Sequence, residues 1–125
     1  MQDDPSAVAI LDAAIGHLRE NVLPGLDQRA QFEMRVTLNA LSIVRRTLAL
    51  APASDAAERT RLQALLGEGG DLESLNRKLC TRIDAGELGP DNPTLMQHLR
   101  ATSIAKLAVD QPSYSAYKRA IEQEH

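Results

Sequence analysis

Hydrophobic residues recur at helical spacing along most of this chain and never alternate over a strand-length run. The longest pattern covers residues 27–50, which contain neither Gly nor Pro. Its apolar positions repeat every three or four residues, which predicts a long amphipathic helix with one buried face. The residues predicted to form that buried face are Phe32, Val36, Ala40, Ile43, Val44, Thr47 and Leu50.

Prolines and glycines divide the rest of the chain into shorter segments with the same helical spacing. We predict an all-α fold, a compact bundle of about five helices in which the second is the longest, forming one domain over residues 1–125. Residues 113–122 are expected to form either a last short helix or an extended arm. The predicted helices cover residues 6–23, 27–50, 55–66, 71–85 and 92–109.

Several predicted helix ends carry residues that begin or end helices. Asn92-Pro93 is expected to begin the fifth helix, with Asn as the cap and Pro at the first position. Asp55 is expected to cap the third helix. Ala51-Pro52 is expected to end the second helix, because the residue before a proline is pushed out of the helical conformation.

Composition and charge exclude several classes of protein. The formal net charge is −3 and the chain has no Trp, one Phe and two Tyr, so it lacks the basic field and the stacking aromatics of a general nucleic-acid binder. No run of about 18 apolar residues is present, so we expect no membrane span. The acidic start of the chain does not resemble a signal peptide, and we expect a cytoplasmic protein.

A polar stripe follows the predicted apolar face of the second helix. Arg35, Asn39, Ser42 and Arg46 are spaced i, i+4, i+7 and i+11, which places two guanidinium groups and an amide along one line. Such groups can bind a carboxylate, a phosphate or the acidic helix of a partner. Alternatively, the stripe is the solvated border of an amphipathic helix, with Asn39 bonded to a loop carbonyl.

A second polar line lies on the fifth predicted helix. His98, Thr102 and Lys106 are spaced i, i+4 and i+8 and share a side with apolar residues. Together with Arg35 and Asn39 of the stripe they would form a polar pocket. The alternative is an interior polar network plus solvated charges, because a buried His or Lys must find a partner or lose its charge.

No motif for catalysis or metal binding is present. The histidines lack the spacing of a metal site, and the glycines of residues 67–70 neither follow a strand nor precede Lys-Ser or Lys-Thr. The lone Cys80 excludes an intramolecular disulfide, and we expect it to be a small core residue. We therefore expect no catalytic residue, no metal and no cofactor.

Several phrases of the sequence resemble an uncharacterised bacterial family encoded beside, or fused to, aminoglycoside-phosphotransferase-like kinases and acyl-CoA dehydrogenases. The resemblance spans nearly the whole chain and implies an accessory to a kinase that acts on a small or acyl-CoA-linked substrate. It assigns no reaction to this polypeptide. The phrases are Phe32-Glu33-Met34-Arg35-Val36 with Asn39-Ala40-Leu41, Leu75-Asn76 with Leu79-Cys80 and Ile83, His98-Leu99-Arg100-Ala101-Thr102, and Lys106-Leu107-Ala108 with Asp110, Pro112 and Tyr114.

Two functions fit these features. In the first, the chain is a non-catalytic accessory or interaction module, with Arg35 and Arg46 as polar anchors of the contact face. In the second, it is a small-ligand binder or a weak enzyme that takes an anion such as a carboxylate, a phosphate or a CoA ester in a pocket lined by Arg35, Asn39, His98 and Lys106. A homodimer is compatible with either function.

Overall fold

Residues 5–123 fold into five α-helices. In the computed structural model, which describes residues 5–123, no strand is present in that range, and the second helix is the longest, as predicted. No helix among these residues is both long enough and apolar enough to cross a membrane. The helices are α1 (Ala7–His17), α2 (Gln28–Leu66), α3 (Leu72–Asp84), α4 (Pro93–Asp110) and α5 (Ser115–Gln123).

The helices belong to two compact units. The first unit is Met1–Ala51 and the second is Pro52–His125, and α2 contributes residues to both. Each unit is described by itself below. The single domain expected for residues 1–125 stays a prediction.

The predicted end of the second helix at Ala51-Pro52 is wrong. Helix α2 continues through Pro52 to Leu66 and merges the segments predicted as the second and third helices, so Asp55 lies inside a helix instead of capping one. An interior proline removes one backbone hydrogen bond and costs about 3 kcal/mol, which good helix formers on both sides and the packing of the last turns can offset. The helix ends at Gly67, whose φ of 72° is in the left-handed region that glycine favours.

In the first unit, α1 packs against the N-terminal part of α2. Ser6 caps α1 by accepting a hydrogen bond from the backbone N–H of Ala9, at 3.2 Å. Ile15 and Leu38 are buried, with 6% and 3% of their surface exposed. Arg45 forms an ion pair with Asp12 across the two helices, with Nε and Oδ1 at 2.9 Å.

The segment between α1 and α2 is helical but irregular. A π-helical turn covers Leu18–Val22 and a 3₁₀ turn covers Leu23–Gly25, so the α-helix predicted over residues 6–23 ends at His17 and the rest of that range has different geometry. Pro24 lies in the first turn of the 3₁₀ segment. Asp27 then caps α2, because its Oδ1 accepts a hydrogen bond from the backbone N–H of Ala30 at 2.9 Å.

The apolar face predicted to be buried in residues 27–50 is largely exposed. Phe32 is 67% exposed and Val36 is 56% exposed, whereas Leu38, on another side of α2, is buried. The helical period was correct, but it identifies residues that share a face without saying which face a neighbouring element covers. The other members of the predicted face that are exposed are Ala40, Val44, Thr47 and Leu50.

In the second unit, leucines from α2, α3 and α4 form the core. Leu62 and Leu75 are completely buried, and Leu65, Leu72 and Leu88 pack around the cluster. The short helix α5 (Ser115–Gln123) covers most of the segment predicted over residues 113–122, which is not an extended arm. The buried cluster consists of Leu62, Leu66, Leu75, Leu79 and Leu95.

Local capping in the second unit follows the sequence closely. Asn92 caps α4, because its Oδ1 accepts from the backbone N–H of Leu95 at 3.1 Å, and Pro93 occupies the first turn as predicted. Asp71 caps α3 in the same way. Cys80, however, is exposed, so its predicted place in the core is wrong. It directly follows the buried Leu79, and the next helical position is rotated by about 100° away from the core.

Candidate functional site

The four residues of the polar stripe line one open groove in the first unit. Arg35, Asn39, Ser42 and Arg46 lie on its α2 side, and the groove has a volume of about 530 Å³. The structure therefore brings the stripe together around a concave surface, as the functional interpretation of its spacing required. The residues that line this arginine groove are Arg19, Leu23, Arg35, Leu38, Asn39, Ser42 and Arg46.

The irregular turns after α1 supply a third guanidinium group. Arg19 lies in the π-helical turn and Leu23 begins the 3₁₀ turn, and both line the groove. A π-helical turn contains an extra residue, which changes the direction of the side chains that follow, and such turns are frequent at functional sites. Sequence reasoning missed Arg19, because it lies outside the predicted polar stripe and no pattern in its segment indicates a π-helical turn.

The groove is strongly cationic. Three guanidinium groups, one amide and one hydroxyl line it, and within residues 5–123 no carboxylate does. Arg35 donates a long hydrogen bond of 3.5 Å to Oε1 of Gln31, and neither Arg35 nor Arg19 forms an ion pair within residues 5–123. By contrast, Arg45 in the same unit has its own carboxylate, that of Asp12. The positive charge at Arg19 and Arg35 is therefore not neutralised by a side chain in that range.

The groove also has an apolar component. Leu38 is 3% exposed and Leu23 is half-buried, and both border the cationic side chains. Ser42 and Arg46 are half-buried, whereas Arg35 and Asn39 are exposed. Charges beside a low-dielectric wall interact more strongly with an incoming ion than charges fully surrounded by water. This arrangement suits a carboxylate or phosphate that carries some apolar surface.

Two cavities in the second unit have a different character. One has a volume of about 430 Å³ and is lined in part by Asp55 and Arg59, and the other has about 560 Å³ and is lined in part by Glu73 and Arg77. Each of them contains a carboxylate beside its arginine. Their cations are partly neutralised by these acids, which makes them poorer anion sites than the arginine groove.

His98, the second predicted site residue, lies in an interior hydrogen-bond network. Its side chain is 3% exposed, and Nε of Arg61 donates to Nδ1 of His98 at 3.2 Å. A terminal nitrogen of Arg61 donates to Oγ1 of Thr102 at 3.3 Å. This is the interior polar network that the sequence offered as the alternative to a binding pocket for His98 and Thr102. Sequence reasoning identified His98 and Thr102 but missed Arg61, which lies within α2 next to the buried Leu62.

Burial of the imidazole lowers the pKa of His98, and the nearby positive charge of Arg61 lowers it further, while Glu58 acts in the opposite direction. Since Nδ1 accepts a hydrogen bond, the proton of the neutral ring is on Nε2. A neutral histidine held by an arginine is a structural element of the second unit. These hydrogen bonds bring no nucleophilic side chain to the imidazole of His98.

Lys106 is exposed and makes no ion pair with Asp110, its expected helical partner, in the part of the chain that the structure describes. The pocket predicted from Arg35, Asn39, His98 and Lys106 combines residues of both units and stays a prediction. Among residues 5–123 there is also no group of three or more His, Cys, Asp or Glu side chains placed to hold a metal ion.

The sequence belongs to the family described as Domain of unknown function (DUF6285), whose model matches residues 24–114. The matched range includes Arg35, Asn39, Ser42 and Arg46 of the groove, whereas Arg19 precedes it. No curated protein and no solved structure matches the chain. The expected membership of an uncharacterised family is thereby confirmed, and the link to kinases and dehydrogenases stays a prediction.

Proposed function

We propose that this member of the DUF6285 family is a non-catalytic accessory module that contacts its partner through the arginine groove. The observation that carries the proposal is that Arg19 and Arg35, which form no ion pair within residues 5–123, line one groove with no carboxylate among its described lining residues. Guanidinium groups form paired hydrogen bonds with carboxylates and phosphates, and each charge-assisted bond contributes about 1.5–3 kcal/mol. An anionic group of the partner would occupy the groove.

For the partner itself, we propose a phosphotransferase-like kinase or an acyl-CoA dehydrogenase of small-molecule metabolism, acting in the cytoplasm. This part of the proposal rests on the sequence resemblance. Both classes of enzyme bind phosphorylated substrates or cofactors and carry acidic surface residues, so either can present an anion. The accessory module would supply the cationic contact and leave the chemistry to the enzyme.

A second function is favoured by the size of the groove. Its volume of about 530 Å³ lies within the range of about 300–1,000 Å³ that is typical of small-molecule sites. In this alternative the occupant is a free carboxylate, phosphate or CoA ester, and the chain is a small-ligand binder. A ligand present at a hundredfold excess over its dissociation constant stabilises the fold by about 2.7 kcal/mol, which a melting experiment detects readily.

The test is purification of the tagged protein from its own host, followed by native mass spectrometry. The groove variant Arg35→Gln/Arg46→Gln is compared with the control Arg29→Gln/Arg77→Gln. The control removes the same charge from two arginines whose side chains are 90% and 75% exposed and which pair with helical neighbours. Such surface pairs contribute little to stability, so the control is expected to fold. Because Arg46 is half-buried, the melting curve of the groove variant is compared with that of the parent to check its fold.

The proposal predicts recovery of a phosphotransferase-like or dehydrogenase protein with the parent and the control, and its loss with the groove variant. A small-molecule mass adduct that the groove variant loses, with no protein partner, supports the ligand-binding alternative instead. Melting in the presence of CoA esters, nucleotides, hydroxy acids and inorganic phosphate then identifies the ligand class. Equal recovery with parent and groove variant contradicts the proposed contact site.

A further inference from the structure

A row of exposed apolar side chains runs along α2 beside the arginine groove. Four of its members are large hydrophobic residues with between 46% and 67% of their surface exposed, and Ala40 lies among them. All five belong to the first unit. This apolar ridge consists of Phe32, Val36, Ala40, Val44 and Leu48, spaced four residues apart.

The spacing of the ridge indicates what kind of element fits it. Residues four apart form one of the rows that pack into the grooves of a second helix when two helices associate. Each step of four residues rises about 6 Å and also turns about 40° around α2. Phe32, Val36 and Ala40 therefore face one side together and present about 12 Å, or about two turns, to a partner helix. Val44 and Leu48 continue the row around α2. Contiguous exposed apolar surface of this kind marks interaction sites on soluble proteins. A helix is therefore the natural occupant.

The two borders of the ridge differ in charge. Arg35 and Asn39 follow Phe32 and Val36 by three residues, so they occupy the neighbouring row on the groove side. On the other side, Glu33 is paired with Arg29 at 3.4 Å, and its charge is compensated within α2. A partner helix that lies on the ridge would thus meet uncompensated positive charge along one border.

This asymmetry argues against a second copy of the chain as the occupant. Two copies related by a twofold axis perpendicular to α2 place the same border of each helix together, so that Arg35 and its neighbours would face their own equivalents. Like charges opposed across an interface cost affinity. In a parallel arrangement the cationic border would meet Glu33, which Arg29 already neutralises. An acidic partner makes better use of this surface.

We infer that the apolar ridge and the arginine groove together bind an amphipathic helix of the partner, with its apolar face on the ridge and acidic residues along the border that meets Arg35. The inference rests on the proposed function, because it specifies the element that the accessory module recognises. Helices recognised in this way bind through apolar side chains at helical spacing, with charged flanks setting orientation.

The test uses two synthetic peptides of about 20 residues, long enough to form a helix. Both have the same leucine seam, and one carries Glu and the other Lys beside it. Binding to the full chain is measured by fluorescence anisotropy. The ridge variant is Phe32→Gln/Val36→Gln, and its matched control is Met96→Gln/Leu99→Gln, which alters two exposed apolar residues of the second unit. All four positions are exposed, so folding is expected to be preserved.

The inference predicts that the Glu peptide binds at least tenfold more tightly than the Lys peptide. The ridge variant should lose at least tenfold in affinity for the Glu peptide, and the control should bind it like the parent. Equal binding of both peptides, or binding of neither, overturns the inference. So does a parent dimer that the ridge variant converts to a monomer in sedimentation, because a second copy would then cover the ridge.

The groove variant Arg35→Gln/Arg46→Gln separates this inference from the proposed function. If that variant loses the Glu peptide while the ridge variant retains it, the arginine groove binds the acids but the ridge is not the docking face, and only the further inference fails. If the ridge variant loses the peptide and the groove variant retains it, the groove is not the contact site and the proposed function fails.

Discussion

Acidification should destabilise the chain through the buried His98 of the second unit. In the folded protein the imidazole accepts a hydrogen bond from Arg61 at Nδ1 and is 3% exposed, and its pKa is lowered by burial and by the charge of Arg61. Protonation removes the acceptor and places two cations side by side. In the unfolded chain the pKa of the same histidine is about 6.5.

The direction in which pH changes the free energy of unfolding follows from the number of protons that the folded and the unfolded states bind. Above about pH 7 His98 is neutral in both states and contributes no pH dependence. As the pH falls through the unfolded pKa, the unfolded chain takes up a proton that the folded chain does not. The free energy of unfolding then decreases by up to about 1.4 kcal/mol per pH unit until the lower folded pKa is reached. Stability is thus fully present at neutral pH and is lost on acidification.

The assay is urea unfolding between about pH 8 and pH 5, with His98→Asn as the matched variant. Asparagine offers a carbonyl oxygen near the position of Nδ1, so Arg61 retains an acceptor that does not titrate in this range. The parent should lose more stability than the variant between about pH 7 and pH 5. Parallel pH profiles for the two proteins would refute a neutral, buried His98 and the network built on it.

Three further predictions concern stability, each measured by urea unfolding. Leu75→Ala should cost about 2–5 kcal/mol because Leu75 is completely buried, whereas Leu99→Ala, at a site that is 38% exposed, should cost clearly less; equal losses would contradict the described core. Asn92→Ala should cost about 1 kcal/mol by removing the cap of α4, and no loss would mean that the cap is dispensable. Pro52→Ala should raise the free energy of unfolding, by at most about 3 kcal/mol. The gain is reduced because proline also restricts the unfolded chain. A destabilised variant would contradict a continuous α2.

Local signals in the sequence were enough to predict the helices and many of their ends. Asn92 with Pro93 began α4, because capping depends on residues a few positions apart. The same locality explains the polar stripe. Residues spaced three and four apart on one helix lie together in any fold that keeps the helix. The sequence alone therefore places Arg35 beside Asn39.

The sequence identified polar residues on the α2 side of the groove and missed the residues on the opposite side. Arg19 entered the groove through a π-helical turn, and no residue pattern in that segment distinguishes such a turn from ordinary helix. The sequence leaves two alternatives for His98. Only folding brings Arg61 beside it, because the two residues are 37 positions apart in the chain.

By itself, then, the sequence determined the helical class, the helical period and the cap of α4 at Asn92, all of which arise from interactions between near neighbours in the chain. Only the tertiary structure decided which side of α2 is buried. Phe32 and Val36 remain exposed while Leu38 is covered, because burial depends on which element packs against the helix. It also decided that α2 continues through Pro52, since a local cost of about 3 kcal/mol can be offset by core packing such as that of Leu62.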